Sequence, residues 1–111
     1  GGALLARREV FLRFQDLEMD RLQRRVKRAG RTLDLAPREF RLLEFFLLNS
    51  ERVITRTTLL ERVWDMSFDP ETNVVDAHIS NLRKKLEEGG RSRLIQTIRG
   101  AGYALRPAEP D

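Results

Sequence analysis

The first third of the chain alternates between apolar and polar residues over short stretches. Residues 12–14 and 17–19 alternate with a period of two, which is typical of half-buried strands. Residues 22–28 alternate less regularly and are rich in charge, and Ala29 and Gly30 then supply a turn before residues 32–35. The pattern predicts a small antiparallel meander with one face exposed to solvent.

Apolar residues then recur at the spacing of a helix. This helix should begin at Pro37, because proline is favoured at the first helical position, and should end at Asn49 and Ser50. Its apolar stripe consists of Phe40, Leu43, Phe46 and Leu47, and is widened by Leu42, Phe45 and Leu48. The width of the stripe predicts the most buried helix of the fold.

A second helix is predicted over residues 56–64. Val53 and Ile54 are too short a run to stand alone and should form a brief extended link, after which Thr55 is a suitable N-cap. The residues expected to face inward are Leu59, Leu60 and Val63. Residues 65–72 should form a turn-rich acidic loop.

A third helix is predicted over residues 72–88, begun by Thr72 or Asn73 and ended by Gly89 and Gly90. One side carries an apolar stripe of Val75, Ile79, Leu82 and Leu86. The opposite side carries Asn73, Ala77, Ser80, Asn81 and Lys84, with Arg83 on its flank. Small residues permit close approach to another surface, and amides both donate and accept hydrogen bonds. This side is a candidate recognition surface, although solvated polar helix faces are common.

The C-terminal part of the chain predicts a β-hairpin over residues 94–106. Residues 94–98 are rich in β-branched side chains, Gly100, Ala101 and Gly102 form a tight turn, and Arg99 lies near its tip. Pro107 should end the second strand. The order of strands, three helices and a hairpin predicts an α+β fold of the winged helix-turn-helix type. In such folds the third helix enters the major groove and the hairpin, or wing, reaches the neighbouring minor groove.

Size and composition narrow the class of protein. The chain has 111 residues, enough for one domain, and lacks both a long apolar run and a signal-peptide pattern. It has no cysteine, which excludes disulfides and thiolate metal sites and fits a cytoplasmic protein. The net charge is +4, and residues 83–106 hold seven Lys or Arg against two Glu, whereas residues 61–76 hold one Arg against five acids. Chance could scatter charges in this way, but the segregation favours a polyanionic partner for the basic segments.

Three ordered motifs resemble the OmpR/PhoB-type effector domain of bacterial response regulators. They are LAPREFRLLEFFLLNSERVITRTTLLERVW, NVVDAHISNLRKKLE and LIQTIRGAGYALR, and the resemblance covers residues 12–106. It implies an effector domain over residues 12–106, a linker remnant with a possible expression scar over 1–11, and a tail over 107–111. In that family a receiver domain, phosphorylated on an aspartate by a sensor histidine kinase, precedes the effector domain. The chain therefore resembles the excised C-terminal half of such a regulator.

The resemblance also implies roles for individual residues. Ser80 and Asn81 match positions that contact base edges, and a second group matches positions that touch phosphates or bases: Asn73, His78, Arg83 and Lys84. Positions that contact the DNA backbone from the second helix are matched by Thr55, Arg56 and Trp64. Thr97 and Arg99 match the wing, and Arg99 is the candidate for a narrow minor groove. No cofactor or metal is implied.

The acidic loop gains a candidate partner from the same resemblance. In the family the connection between the second and third helices contacts RNA polymerase, and here it carries Asp65, Asp69 and Glu71. A plain solvated loop is the competing interpretation. Relatives also bind direct repeats of double-stranded DNA as dimers, which predicts a monomer when isolated and a dimer on DNA. One departure is Ala36, which stands where the family usually has a Thr or Ser N-cap, at a cost of about 1 kcal/mol.

Two other functions compete with DNA binding as interpretations of the sequence. An enzyme would need a nucleophile, base or metal site, and the chain offers one histidine, His78, at the edge of the buried face of the third helix. Asp76 is close in sequence, but no activated nucleophile accompanies it. The second alternative is a winged helix used for protein–protein or RNA interaction, which the same helix and wing could serve.

Overall fold

The computed structural model describes residues 10–65 and 73–107. Four strands are followed by three helices and a two-stranded hairpin: β1 (Phe11–Phe14), β2 (Leu17–Asp20), β3 (Arg25–Arg28), β4 (Arg31–Leu33), α1 (Pro37–Leu48), α2 (Arg56–Val63), α3 (Asn73–Leu86), β5 (Ile95–Ile98) and β6 (Gly102–Leu105). The predicted α+β winged helix-turn-helix architecture is confirmed in its element types and their order.

The N-terminal strands form the antiparallel sheet that the alternation predicts, in the order β1-β2-β3-β4. Met19 pairs with Leu12 on one side and Val26 on the other, and this row faces the core. The irregular alternation of residues 22–28 has a structural cause, because residues 22–24 lie in a turn, where Leu22 is 78% exposed, and β3 covers only residues 25–28. Within β3 burial alternates, and its second inward-facing position is occupied by Arg28, which is only 3% exposed. The last strand covers residues 31–33 rather than 32–35.

Helix α1 lies at the centre of the core, with Phe40, Leu43 and Phe46 buried as predicted. Leu42 is buried as well and Phe45 is partly buried, but Leu48 is 51% exposed. The prediction that Leu48 widens the buried stripe is therefore wrong. On a helical wheel Leu48 lies about 140° from Leu43, and so points away from the core-facing side.

The helix ends follow the capping residues. The Thr55 side chain accepts a hydrogen bond from the Thr58 N–H at 3.0 Å, which confirms it as the N-cap of α2. Ala36 has no side-chain acceptor, but its own N–H donates to the Glu39 carboxylate at 2.7 Å, which preserves half of a capping box. Helix α2 ends at Val63 with Trp64 as its C-cap. Helix α3 ends at residue 86, two residues before the predicted end, and residue 72 lies outside the described residues.

The hairpin is tied to the segment that precedes α2. Ile54 donates its N–H to the Tyr103 carbonyl at 2.7 Å and accepts from the Tyr103 N–H at 2.9 Å. The predicted extended link is thus also a short bridge to β6. Gly102 makes this approach possible, because a Cβ there would lie 2.1 Å from the Ile54 carbonyl oxygen. None of the helices in the described part of the chain is long and apolar enough to cross a membrane.

Candidate nucleic-acid interface

Helix α3 presents the two sides that its sequence predicts. The stripe of Val75, Ile79, Leu82 and Leu86 is buried in the core. The five residues of the opposite side are all exposed: Asn73, Ala77, Ser80, Asn81 and Lys84. We call these five residues the polar face. Four of the five side chains are short and leave the helix backbone accessible to a partner surface, and their amides and hydroxyl supply both donors and acceptors.

The cations at the end of α3 differ in their surroundings. Lys84 is exposed on the polar face. Lys85, in contrast, turns towards α1, where its Nζ lies 2.6 Å from the Glu39 carboxylate, whose side chain is 7% exposed. Burial opposes the ionisation of Glu39, but the hydrogen bonds from Lys85 and the Ala36 N–H prevail and lower its pKa. Of these two lysines, Lys84 is the one that can meet a polyanion without breaking a buried ion pair.

Arg83 joins α3 to the hairpin instead of extending into solvent. Its Nε and Nη2 donate to the Ile95 carbonyl at 2.9 and 2.7 Å, and Nη2 also donates to the Thr97 hydroxyl at 2.8 Å. Burial, followed by the nearby charge of Arg93, lowers the pKa of Arg83. Arg83 thus fixes the hairpin relative to the polar face, while Thr97 and Arg99 remain exposed on the hairpin.

The far end of α3 is held by the N-terminal sheet. The Arg28 Nη1 donates to the carbonyls of Leu86 and Ser92 at 2.8 and 2.7 Å. Its Nε lies 3.0 Å from the Asp16 carboxylate, which balances its buried charge. A cation at the last carbonyls of a helix also opposes the negative end of the helix dipole. Arg28 therefore fixes both the end of α3 and the chain that leads into β5.

The start of α2 meets α3 at an ion pair. The Nε of Arg56 lies 2.8 Å from the Asp76 carboxylate, and both side chains are partly exposed. The hydrogen bond and charge of Asp76 raise the pKa of Arg56. Burial opposes the ionisation of Asp76, but hydrogen bonds from Arg56 and from the hydroxyl of Tyr103 lower its pKa. Arg56 and Thr55 both remain exposed at this corner of the molecule.

Trp64, the C-cap of α2, packs against His78 of α3. Their rings are 5.1 Å apart and nearly perpendicular, an arrangement favoured between aromatic rings. The Arg38 guanidinium lies 5.4 Å from the centre of the Trp64 ring and donates to the Val63 carbonyl. The His78 Nδ1 lies 2.9 Å from the Val74 carbonyl, within the same helix. His78 is half-buried, as its position at the edge of the apolar stripe predicts.

The acidic loop can be described only at its first residue. Asp65 is exposed, and its carboxylate lies 3.6 Å from Arg41. Asp69 and Glu71 lie outside the described residues. Among residues 10–65 and 73–107, no group of three or more acidic or histidine side chains could hold a metal ion.

Sequence reasoning missed two residues that organise this surface, Asp76 and Tyr103. Asp76 is the one acidic residue within α3, on a helix whose last turn carries three cations. The helix dipole alone favours an acid in the first turn, so the sequence did not identify Asp76 as the partner of Arg56. Tyr103, the single tyrosine of the chain, is 5% exposed. Its partner Asp76 is 27 positions away, so only the tertiary structure reveals the contact.

Comparison with known proteins agrees with this geometry. Residues 30–105 match the family described as "Transcriptional regulatory protein, C terminal". Response regulator MprA of Mycobacterium leprae (strain TN) is 42% identical over 105 residues, which is 95% of this chain and 46% of MprA. The chain thus spans about half the length of the curated relatives it matches.

Solved structures agree in fold. Response regulator DrrB, a Thermotoga maritima OmpR/PhoB homologue, superposes with a TM-score of 0.77 at 34% identity, over 93% of this chain and 47% of DrrB. The DNA-binding domain of Klebsiella pneumoniae RstA, in complex with the RstA box, superposes with a TM-score of 0.78 at 28% identity, over 88% of this chain and 98% of that domain. The chain belongs to the family of transcriptional regulatory protein C-terminal domains, the OmpR/PhoB-type effector domains.

Proposed function

We propose that this chain binds double-stranded DNA sequence-specifically, as the effector domain of a two-component response regulator, and thereby controls transcription. The observation that carries the proposal is the exposed polar face of α3, which lies beside a hairpin fixed to the same helix by Arg83. An α-helix fits the major groove, where each base pair offers a distinct set of donors and acceptors. RstA, a relative of the same fold, has a DNA-binding domain.

Base recognition is assigned to the middle of the polar face. Ser80 and Asn81 are adjacent and exposed, and an asparagine amide can bond the N6 and N7 atoms of adenine at once. Neither residue is an arginine, so guanine contacts of the bidentate arginine type are not expected at these two positions. Asn73 at the start of the helix and Lys84 near its end flank them.

Contacts to phosphates are assigned to the surroundings of the polar face. The N-terminus of α2, with the exposed Thr55 and Arg56, offers backbone N–H groups and a cation. Trp64 and His78, whose rings pack together at the other end of α2, are assigned to the same backbone-facing surface. Arg83 remains in the proposed interface. Its hydrogen bonds to Ile95 and Thr97 indicate that its main role is to hold the wing against α3.

The wing is assigned to the adjacent minor groove. Arg99 is exposed and follows the end of β5, next to the turn that contains Gly100. A narrow A/T-rich minor groove has an enhanced negative potential that attracts arginine. Thr97, exposed on the same strand, is assigned to the neighbouring backbone.

Further partners are proposed on the strength of the family. They are RNA polymerase at Asp65, Asp69 and Glu71, an N-terminal receiver domain phosphorylated by a sensor histidine kinase, and a second copy of the chain on direct DNA repeats. The negative loop suits a protein partner and discourages DNA contact at that point. We also propose residues 12–106 as the effector domain, a cytoplasmic location and no enzymatic activity.

Selection of duplexes from a random pool tests the proposal. One preferred sequence should emerge, bound about 10³-fold or more tightly than scrambled competitors, with affinity that falls steeply as salt rises. Weak binding without a preferred duplex would contradict the proposal. Tight binding of single-stranded or structured RNA in a parallel selection would instead support the alternative of an RNA-interaction module.

A further inference from the structure

Asp76 is the meeting point of three elements of the proposed interface. Its Oδ1 accepts a hydrogen bond from the Arg56 Nε of α2 at 2.8 Å and from the Tyr103 hydroxyl of β6 at 2.5 Å. Asp76 itself belongs to the first turn of α3. A single carboxylate oxygen therefore connects the recognition helix, the start of α2 and the hairpin.

Tyr103 makes this connection rigid. Its backbone pairs with Ile54 through two hydrogen bonds, at 2.7 and 2.9 Å. The guanidinium carbons of Arg56 and Arg83 lie 5.6 and 5.5 Å from the centre of its ring, within the range of cation–π attraction. Both cations are thus held against one ring whose hydroxyl ends on Asp76.

The charge of Asp76 has an electrostatic consequence for DNA binding. A free arginine can neutralise a phosphate and release a counterion, which strengthens binding to any sequence. Arg56 already has an anionic partner, so its net attraction for the backbone is reduced. Breaking this pair to reach a phosphate would leave the charge of Asp76 without its cationic partner, with only the Tyr103 hydroxyl as a hydrogen-bond donor.

We propose that Asp76 is a positioning residue that increases sequence selectivity, because it aligns Arg56 and Tyr103 and weakens sequence-independent attraction to the backbone. The inference rests on the proposed DNA-binding function. It predicts that removing the carboxylate charge strengthens binding to unrelated DNA. A carboxylate that served folding alone would not have this effect, because its loss would weaken binding to every duplex.

The test compares the wild-type chain with Asp76→Asn, an isosteric change that removes the charge. Affinities are measured by fluorescence anisotropy for the duplex selected by the wild type and for a scrambled duplex of equal composition, over a range of salt concentrations. The control Asp34→Asn removes one charge from an exposed loop residue outside the proposed interface. Thermal unfolding of each variant shows whether the fold is retained.

Asp76→Asn should bind the scrambled duplex several-fold more tightly than the wild type, with a ceiling of about eightfold at ~0.1 M salt for one additional phosphate contact. The steepness of the salt dependence should increase by about 0.9 in the logarithmic slope. The ratio of specific to scrambled affinity should fall at least about threefold. Asp34→Asn should change neither the ratio nor the slope by a comparable amount.

Titration of Tyr103 is an independent measurement of its contact with Asp76. Burial, the hydrogen bond to Asp76 and the charge of Asp76 raise the pKa of Tyr103, and the absorbance change on tyrosinate formation comes from this residue alone because the chain has one tyrosine. In Asp76→Asn this pKa should move down towards its usual value of about 10. An unchanged Tyr103 titration would show that the contact is absent in solution and would overturn the inference.

The remaining outcomes separate the inference from the function on which it rests. A wild-type chain without any duplex preference refutes the proposed function, and the inference with it. A wild-type preference together with equal effects of Asp76→Asn and Asp34→Asn refutes the inference alone. Weaker binding of Asp76→Asn to both duplexes also refutes it, and leaves Asp76 with a purely structural role.

Discussion

Single side chains on the polar face should differ in what they contribute to affinity. Asn81→Ala should relax the preference at one base position and cost roughly 1–3 kcal/mol at the best site, because an exposed amide that bonds a base edge carries sequence information. The measurement is binding to a panel of duplexes that vary one base pair at a time. Equal losses on all duplexes would contradict base recognition by Asn81.

Lys84→Ala is the matched control on the same helix face. A lysine that touches phosphate should contribute about equally to every sequence, so this variant should weaken all duplexes by a similar factor and lower the logarithmic salt slope by about 0.9. If Lys84→Ala instead lost affinity only for certain base pairs, Lys84 would be a base contact and not a phosphate contact.

At the scale of residues, the sequence predicted exposure better than it predicted partners. Helical spacing alone placed Asn81 and Lys84 outside and Ile79 inside, as the structure has them. It could not show that Lys85 pairs with Glu39, which is 46 positions away, or that Arg83 bonds a carbonyl 12 positions away. Such contacts depend on how distant elements pack, and a charge count along the helix therefore overestimates the cations available to DNA.

The junction between α1 and α3 should depend on pH. The ionised Glu39 carboxylate holds Lys85 and the Ala36 N–H, and its pKa is lowered in the folded state. A group with a lowered folded pKa stabilises the fold above its unfolded pKa of about 4.3, and this contribution is lost as the pH falls through the folded pKa. Glu39→Gln should lower the free energy of unfolding by about 1 kcal/mol at neutral pH.

Urea denaturation of the wild type and Glu39→Gln across the acid range measures this contribution. The difference between the two proteins should shrink as the pH falls below about 4, because both side chains are then neutral. Glu88→Gln is the control, since Glu88 pairs with Arg31 on the surface, where both side chains are more than half exposed, and such pairs contribute little. A difference that stays constant with pH would exclude an ionised Glu39 as its source.

The hairpin gives a prediction for a whole element. Arg99→Ala should reduce affinity most for duplexes with A/T-rich flanks, because the narrow minor groove of such DNA concentrates the negative potential that an inserted arginine meets. Binding to duplexes that share a core site but differ in their flanks measures the effect. The control is Arg13→Ala, on the outer face of the N-terminal sheet. An equal loss of affinity for all flanking sequences would indicate that the wing contacts the DNA backbone instead of the minor groove.

At the scale of elements, the three helices could be predicted because their apolar spacing is regular, and the hairpin because β-branched residues precede a glycine-containing turn. The strands of the sheet were predicted less accurately, because Arg28 occupies an inward-facing position where the alternating pattern predicts an apolar residue. Its charge is compensated by Asp16 and by carbonyls of Leu86 and Ser92, which come from remote parts of the chain. The pattern of one strand contains no trace of these partners.

In the whole molecule the acidic residues between α2 and α3 are separate from the basic segments proposed to face DNA. Substitutions of these acidic residues should therefore affect transcription without affecting DNA binding. Reversal of Asp69 and Glu71 to lysine should leave affinity for the selected duplex unchanged or slightly raised, while it lowers transcription in vitro from a promoter that carries that duplex. Filter binding and run-off transcription on the same template measure the two quantities. Asp34→Lys with Glu51→Lys is the control for added positive charge. Unchanged transcription would remove the polymerase assignment from this loop.

The close approach of Gly102 to Ile54 has a consequence for the DNA itself. No side chain could be added between these two backbones, so the wing cannot slide past the start of α2, and Asp76 and Arg83 hold α3 to the same unit. In the proposed complex, a protein surface of fixed dimensions would require the duplex to adjust its groove width and curvature to reach both contacts. The energy of that deformation depends on the base steps between the contacts. Base pairs that no side chain touches should therefore still influence affinity, through their stiffness alone.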